Sequence, residues 1–279
     1  MFKGDKMKSY LFLLLAFVGG LFAQTLQDIK DSKTIRIGVR RALPPYSDQD
    51  QNGNLIGFEV ELAKALGKKI LGDDGKIDLI IIEAKDRVPM LVNNQLDLVT
   101  ANLVQTAERE KQVDFSVPYL SSYLSVLTRK GEGITKVSDL NGKKVLYIPG
   151  TTTVEFKNKN EIDATWVECS GIGDCHQKLK SGEGDAYMHI NILIASLPHI
   201  DTSVELAIKA IGSELGNTCV GVQKGNKELL SVINKAIYEL SHEGFFREQY
   251  EHILDPFYRG SISKNFLLLD DLYKLLGGD

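Results

Sequence analysis

Hydrophobic and polar positions follow two different periods along the chain. Residues 34–40 (TIRIGVR) alternate apolar and polar side chains and are rich in β-branched residues, which predicts a strand. Residues 58–71 (FEVELAKALGKKIL) carry apolar side chains at helical spacing, and this helix is expected to end near Gly72. The apolar run 77–84 (IDLIIIEA) predicts a buried strand. This alternation indicates an α/β fold with helices on both faces of a sheet.

The same alternation starts again with the strand pattern SYLSVLTRK (122–130), which predicts two lobes. No Pro- or Ser-rich linker separates the two blocks, so we expect strands to cross between the lobes. We assign lobe one to residues 24–125 plus 218–258 and lobe two to residues 126–217. Residues 259–279 form a C-terminal tail with a predicted surface helix. A pair of lobes forms a cleft, the usual place for a small ligand.

The first 23 residues form a separate segment. Lys3, Lys6 and Lys8 precede the apolar run LFLLLAFVGGLFA, which is too short to span a bilayer and is followed by polar residues. We predict a signal peptide over residues 1–23 with cleavage after Ala23, and a buried N-terminal helix is the alternative. No cysteine lies near the cut, which excludes lipid attachment there, so we expect an exported, soluble mature protein.

Composition narrows the classes of partner. The chain has 279 residues, of which 43% are hydrophobic, enough for one large domain or two moderate ones. The formal net charge of −4, with acidic and basic residues interspersed, argues against nucleic-acid binding. In an oxidising compartment Cys169 and Cys175 could close a small loop, leaving Cys219 free and buried. A metal site from this pair and His176 lacks a tight ligand spacing.

One segment matches a metal-binding pattern. Residues 48–59 fit the calcium-loop pattern D-x-[DN]-x-[DN]-G-x5-E through Asp48, Asp50, Asn52, Gly53 and Glu59. An EF-hand needs a helix before the loop, which Pro44 and Pro45 prevent, so we favour a strand-to-helix loop over an isolated calcium loop. His189 follows a predicted strand and could face the cleft, but a structural role is favoured. We predict neither a metal nor a cofactor.

The segment around Arg109, ANLVQTAEREKQVDFSVPY (101–119), resembles the signature of periplasmic polar amino-acid-binding proteins, the solute receptors of ABC importers. Ten other short motifs occur in the expected order across residues 28–255, among them LIGFEVELAKAL, PGTTT and CVGVQKGNKEL. The resemblance is strongest to receptors for cysteine, glutamate and aspartate from epsilonproteobacteria. It implies a type II periplasmic binding protein fold, with two mixed sheets flanked by helices and joined by a hinge.

The resemblance also implies a function. The protein is expected to be a monomeric periplasmic receptor that binds an amino acid or related small carboxylate and delivers it to an ABC permease in the inner membrane. Arg109 is expected to clamp the ligand α-carboxylate, because a planar guanidinium offers two parallel donors. Thr151 and Thr152 begin a predicted helix whose free N–H groups and dipole attract the same carboxylate, with N-capping alone as the alternative. Asn102, in the Arg109 signature, is also counted as ligand-binding.

Two positions depart from the family pattern. The aspartate that usually holds the ligand ammonium, five residues after Asp185, is replaced by Ile190. The hydroxyl residue expected five positions before Arg109 is replaced by Val104. An ammonium group buried beside Ile190 would lack its charge partner, at a cost of several kcal/mol. These departures put an ordinary zwitterionic amino acid in doubt.

Two further arginines occupy positions that resemble the side-chain contacts of acidic amino-acid binders. These are Arg40, at the end of the first strand, and Arg87 in DRVPML. Three arginines without an acidic partner would favour an anion, such as a dicarboxylate with little or no ammonium character. The alternative is that Arg40 and Arg87 are surface charges. Tyr46 either covers an apolar part of the ligand or packs in the core.

Two other functions remain as alternatives. The family resembles periplasmic cyclohexadienyl dehydratases, which recognise carboxylates and need a general acid in the cleft. Glu168 and Asp174 are the candidates for that acid, although both lie in a loop-like region. A sensory or adhesive surface protein with the same fold would bind a ligand without a permease. We favour the receptor over both.

Overall fold

The computed structural model describes residues 24–277, and the predicted signal peptide lies outside the described residues. The strands are β1 (Thr34–Val39), β2 (Asp48–Gln49), β3 (Leu55–Ile56), β4 (Lys76–Ile81), β5 (Leu98–Val99), β6 (Val113–Arg129), β7 (Lys144–Tyr147), β8 (Thr165–Glu168), β9 (Ala186–Ile190) and β10 (Val204–Gln223).

The helices are α1 (Leu26–Ser32), α2 (Phe58–Leu71), α3 (Arg87–Val92), α4 (Ala107–Glu110), α5 (Thr152–Lys159), α6 (Ile172–Ser181), α7 (Asn191–Ile194), α8 (Leu197–Ile200), α9 (Lys227–His242), α10 (Phe245–Gln249), α11 (Asp255–Tyr258), α12 (Lys264–Leu267) and α13 (Asp270–Gly277). A 3-10 turn spans Val137–Leu140 and a π turn spans Tyr250–Leu254. Within residues 24–277, no helix combines the length and apolar character needed to cross a membrane.

Eight strands form one hydrogen-bonded series in the order β4-β1-β5-β10-β6-β9-β7-β8. Strands β4, β1 and β5 run parallel on one side, and we call this side the first half. On the other side β9, β7 and β8 run parallel, and they make up the second half. The long antiparallel strands β6 and β10 join the two. The predicted crossing strands are thus confirmed, and the two predicted mixed sheets share them.

The pairing of β6 with β10 is irregular midway between the two halves. Ile211 pairs with Leu124 and Gly216 pairs with Ser122, so five steps along β10 correspond to two steps along β6. Such a bulge leaves part of a ladder unpaired and locally bends the strand. The predicted lobe boundaries at residues 125 and 217 stay predictions, which this interruption supports.

Local sequence signals determine where α2, the main helix of the first half, begins and ends. The helix predicted over residues 58–71 is α2, which buries its apolar face and ends at Gly72, with Lys68 and Lys69 in its last turn. Strand β4 departs from the prediction of a buried strand, because most of its residues are only half-buried. It stands at the edge of the sheet and pairs with β1 on one side only.

Each half has apolar clusters of its own, and α7 connects them. Ile192 and Leu193 pack in the core of the first half, whereas Ile194 packs with the disulfide-containing cluster of the second half. The C-terminal tail also enters the first-half core, where Leu267 and Tyr273 are buried. The predicted surface helix corresponds to α13, which buries Tyr273 against this core and leaves Leu275 exposed.

The segment that matched the calcium-loop pattern folds as a hairpin of β2 and β3 leading into α2. The Asp50 carboxylate accepts hydrogen bonds from the backbone N–H groups of Asn52 and Asn54, as in a common turn. Glu59 is turned into the core instead of toward the loop. The described part of the chain contains no cluster of side chains arranged to hold a metal ion.

Cys169 and Cys175 form a disulfide that closes the loop between β8 and α6. The third cysteine, Cys219, is free and buried, and burial raises the pKa of its thiol to about 12. A thiol with so high a pKa is protonated at neutral pH and is a poor nucleophile.

These cysteine states predict the outcome of a thiol titration. The native protein is expected to show no reactive thiol toward an aromatic disulfide reagent, because Cys219 is buried and protonated. Unfolding in guanidinium without reductant should expose one thiol per chain, and prior reduction should expose three. Three thiols in the unreduced, unfolded protein would contradict the disulfide.

Candidate functional site

A cavity of about 680 Å³ lies between the two halves. Residues from both halves line it, including the carboxyl ends of β1, β8 and β9 and the N-terminus of α5. The sequence-predicted residues that the structure brings together here are Arg40, Arg87, Asn102, Arg109, Thr151, Thr152 and Ile190.

Arg109 lies on the short helix α4, and its side chain is 7% exposed. Its Nη1 donates to the carbonyl of Val104 (2.5 Å), and its Nη2 donates to the carbonyl of Gly150 (3.0 Å). Its Nε lies 3.5 Å from Oε1 of Glu155, on helix α5 of the second half. Burial lowers the pKa of the Arg109 guanidinium, an effect that Glu155 opposes. Glu155 is an acidic partner that sequence reasoning missed.

The N-terminus of α5 lies next to Arg109 in the lining of the cavity. Thr151 is its N-cap residue, but no side chain caps the helix, since the Thr151 hydroxyl donates to the Ile148 carbonyl (2.7 Å). The first N–H groups of a helix have no partner within the helix. Gly150, just before this turn, has a φ of 74°, and a Cβ there would lie 2.4 Å from Cα of Lys85. Glycine thus permits the close approach of the two halves.

Arg87 lines the cavity, but most of its donors are occupied by backbone carbonyls. Its Nε donates to Ala84 (2.8 Å), and its Nη1 donates to Ala101 (2.9 Å) and Asn102 (2.6 Å). Its Nη2 donates to Gly150 of the second half (2.7 Å). Arg87 is therefore not a surface charge, and four of its five donors hold the cavity floor, which leaves one on Nη2.

Arg40 has donor capacity left. Its Nη2 lies 3.5 Å from Oε2 of Glu83, whose side chain is half-exposed. Its Nε is buried and has no hydrogen-bond partner among residues 24–277. Burial lowers the pKa of the Arg40 guanidinium, and Glu83 opposes this. The expectation that these arginines lack acidic partners is thus wrong for Arg40 and Arg109.

His189 and Ile190 form the wall contributed by β9. The Ile190 N–H donates to Nδ1 of His189 (2.8 Å), so the proton of the neutral imidazole is on Nε2. Burial and the nearby Arg40 and Arg87 lower the pKa of His189 to about 3. His189 is therefore a neutral donor at physiological pH, whereas Ile190, which is 4% exposed, presents hydrocarbon.

Glu59 lies below the cavity floor and is fully buried. Its Oε1 accepts from the backbone N–H of Asn102 (2.6 Å) and from the Tyr119 hydroxyl (2.5 Å). Burial raises the pKa of Glu59 to about 7. The Asn102 side chain itself forms no hydrogen bond within the described chain. The role of Glu59 as a buried hydrogen-bond acceptor was missed from the sequence, because acidic residues in the first turn of a helix are usually solvated.

Tyr46 does not line the cavity. It is fully buried in the first-half core, and its hydroxyl is 2.6 Å from the hydroxyl of Tyr258. Of the two interpretations of Tyr46, core packing is the one that agrees with this placement. The ring is held there by an edge-on contact with Phe58.

Glu168 and Asp174, the two candidate acids, line the cavity near the disulfide. The Asp174 carboxylate accepts hydrogen bonds from the Ser170 N–H (2.8 Å) and from Nζ of Lys178 (3.1 Å). The backbone hydrogen bond from Ser170 lowers the pKa of Asp174, and the Lys178 contact adds to this. An ionised carboxylate of this kind is poorly suited to act as a general acid.

Known proteins resemble this chain over most of its length. Residues 35–256 match the bacterial extracellular solute-binding proteins, family 3. The ABC transporter glutamine-binding protein GlnH of Bacillus subtilis is 31% identical over 229 residues, which are 81% of this chain and 83% of that protein.

Two crystal structures share the fold closely. The solute receptor for L-cysteine of Neisseria gonorrhoeae superposes with a TM-score of 0.82 at 34% identity, covering 88% of this chain and 99% of the receptor. The cysteine-binding protein of Campylobacter jejuni gives a TM-score of 0.82 at 31% identity, covering 87% and 98%. These matches confirm the type II periplasmic binding protein fold. The chain belongs to family 3 of the bacterial extracellular solute-binding proteins.

Proposed function

We propose that this protein is the periplasmic receptor of an ABC importer and binds a small carboxylate in the cavity between its halves. The observation that carries the proposal is the position of the buried Arg109 guanidinium next to the uncapped N-terminus of α5. The similar proteins named above are receptors for glutamine and L-cysteine by name, which supports an amino acid or a related acid as the ligand.

Arg109 has donors available for a carboxylate. A guanidinium carries five N–H donors. Three of them face the Val104 and Gly150 carbonyls and the Glu155 carboxylate, so two are left for a ligand. Two parallel charge-assisted bonds would fix the orientation of a carboxylate. The first N–H groups of α5 would complete its coordination from the second half.

The other residues that line the cavity favour binding of an anionic ligand over a zwitterionic one. Arg40 keeps a buried Nε–H without a partner in the described chain, and neutral His189 offers Nε2–H. At Ile190, an ammonium group would meet hydrocarbon instead of a carboxylate. Among the acidic groups at the rim, Glu83 faces Arg40 and Asp174 is bonded to Lys178. We therefore favour an acidic solute with two carboxylates and little or no ammonium character.

Binding would couple the two halves. Arg109 belongs to the first half and α5 to the second, so a carboxylate held by both stabilises the closed arrangement. The closed receptor would then dock on a permease in the inner membrane that works with a cytoplasmic ATPase. We expect the receptor to act as a monomer and to perform no covalent chemistry.

A ligand panel tests this function. Calorimetric titration with amino acids, keto acids and dicarboxylates is expected to give saturable binding at one site per chain, with the acid recovered unchanged. The bound acid should also raise the thermal unfolding midpoint by mass action. Turnover of prephenate-like acids, followed by absorbance, would instead support the dehydratase alternative. Binding of none of these compounds would contradict the proposal.

A further inference from the structure

The C-terminal segment, residues 257–277, extends beyond the residues that match the family. It nevertheless adds Tyr258, Ile262, Leu267 and Tyr273 to the buried core of the first half. Burial of aromatic and aliphatic side chains removes apolar surface from water and thereby stabilises a fold. The segment is therefore an integral part of the packed structure, and its tyrosines donate hydrogen bonds to α7 and β6.

The first anchor of this segment is Tyr258, which contacts the helix that connects the two cores. Its hydroxyl donates to the carbonyl of Ile192 in α7 and lies 2.6 Å from the Tyr46 hydroxyl. Since the single Tyr258 proton goes to Ile192, Tyr46 acts as donor to Tyr258. Helix α7 follows directly on Ile190, and Leu193 within it lines the cavity. Tyr258 thus supports the cavity wall from outside.

The second anchor holds the crossing strand β6. The Tyr273 hydroxyl donates to the carbonyl of Pro118 (2.6 Å). The ring of Phe266 packs edge-on against Tyr123, with centroids 5.5 Å apart. The backbone N–H of Tyr123 in turn donates to Oδ1 of Asn191 in α7 (3.0 Å). These contacts lie beside the irregular stretch of the β6–β10 pairing, where bending is easiest.

The two halves are in direct contact in this structure, which makes the arrangement a closed one. The Gly150 carbonyl of the second half accepts from Arg87 (2.7 Å) and Arg109 (3.0 Å) of the first half. The Thr106 hydroxyl donates to Oε1 of Glu155 between the same two halves (2.8 Å). The segment contributes to none of these bonds, so any effect on closure must pass through α7 and β6.

We propose that the C-terminal segment is a strap that positions α7 and β6 and thereby biases the protein toward this closed arrangement before ligand binds. Tyr258 and Tyr273 are positioning residues, because they act through α7 and β6 and do not line the cavity. The apparent affinity of a two-state receptor scales with the fraction of molecules in the binding-competent state. The strap would thus raise ligand affinity without contacting the ligand.

The test removes the two hydroxyls and keeps the rings. In a Tyr258→Phe/Tyr273→Phe variant the aromatic packing remains, so the core is expected to stay folded. The proposal requires opening to break both hydrogen bonds, so removing each one should shift the closed-to-open ratio about fivefold toward the open state. The distance between the halves is measured by pulsed electron resonance on ligand-free protein, with spin labels at the exposed positions Lys68 and Asn158.

The matched control is Tyr250→Phe. The Tyr250 hydroxyl donates to Asp255 (3.0 Å) at the surface and reaches neither α7 nor β6. A longer-distance population is expected in the double variant and not in the control. An unchanged distance distribution in the folded double variant, or an equal change in the control, would overturn the strap. A Phe266→Leu variant removes only the ring contact with Tyr123, and the same distance measurement is expected to show a longer-distance population in it. Since no ligand is used, failure here leaves the role of Arg109 intact.

Discussion

Replacing Arg109 with glutamine is expected to weaken carboxylate binding by roughly 100-fold or more. The change removes a buried positive charge and the two donors that remain for the ligand. Lysine at the same position keeps the charge but loses the planar pair of donors, so Arg109→Lys should fall between glutamine and the natural protein. The affinity is measured by calorimetry with the acid that gives the largest thermal shift.

A control arginine separates this effect from general damage. Arg36 also forms a bidentate ion pair, with its Nη2 2.6 Å from Oδ1 of Asp97, but it lies outside the cavity. Arg36→Gln should lower stability and leave affinity within about twofold, since the surface of the site is unchanged. If Arg109→Gln binds as tightly as Arg36→Gln, the clamp is assigned to the wrong residue.

Glu59 and His189 are expected to give opposite pH dependences of stability that partly cancel. The pKa of Glu59 is raised by burial from 4.5 to about 7, so its contribution is present below pH 4.5 and lost as the pH rises through 7. The pKa of His189 is lowered from 6.5 to about 3, so its contribution is present above pH 6.5 and lost as the pH falls toward 3. Between pH 4.5 and 6.5 the two slopes oppose each other.

Substituting one residue of the pair should reveal the pH dependence of unfolding free energy that the other contributes. Between pH 4.5 and 6.5, Glu59→Gln is expected to gain about 2 kcal/mol of unfolding free energy relative to the natural protein, and His189→Asn to lose about as much. Glutamine retains an acceptor for Asn102 and Tyr119, and asparagine retains one for the Ile190 N–H. Urea unfolding at pH 4.5, 5.5 and 6.5 measures both changes.

The double variant serves as the control for this pair. With both titrating groups gone, the Glu59→Gln/His189→Asn profile should run nearly parallel to that of the natural protein. The remaining charges facing the pair, Arg40 and Arg87, are common to every variant. Single-variant profiles parallel to the natural one would show that neither buried group titrates as described.

Sequence patterns predicted the elements whose causes are local. Helix α2 was predicted with its observed bounds, because its apolar spacing and the glycine at its end lie within one continuous segment. The fold class followed from the order of elements and the family resemblance. The length of β6 was underestimated, because its stability comes from pairing with β10, whose paired residues lie 75 or more positions away in sequence.

Arg109 and the start of α5, whose motifs are short and continuous, were predicted to face one cleft, and both line the cavity. Their role in binding stays a prediction. Hydrogen bonds and ion pairs between residues far apart in sequence could not be predicted. Glu155 reaches Arg109 only after the halves meet, and Arg87 places four of its five donors on carbonyls of three separate loops. The neutral state of His189 depends on burial that no local pattern reveals. The choice between the two interpretations of Tyr46 stayed open for the same reason, because its placement depends on the distant Tyr258.

At Gly150 the two halves meet through main-chain atoms, and a single added carbon there would collide with the backbone of Lys85. This contact is separate from the side chains of Arg40, His189 and Ile190, which line the cavity. Substitutions at those three positions can therefore change the chemistry of the cavity and leave the main-chain junction of the two halves in place.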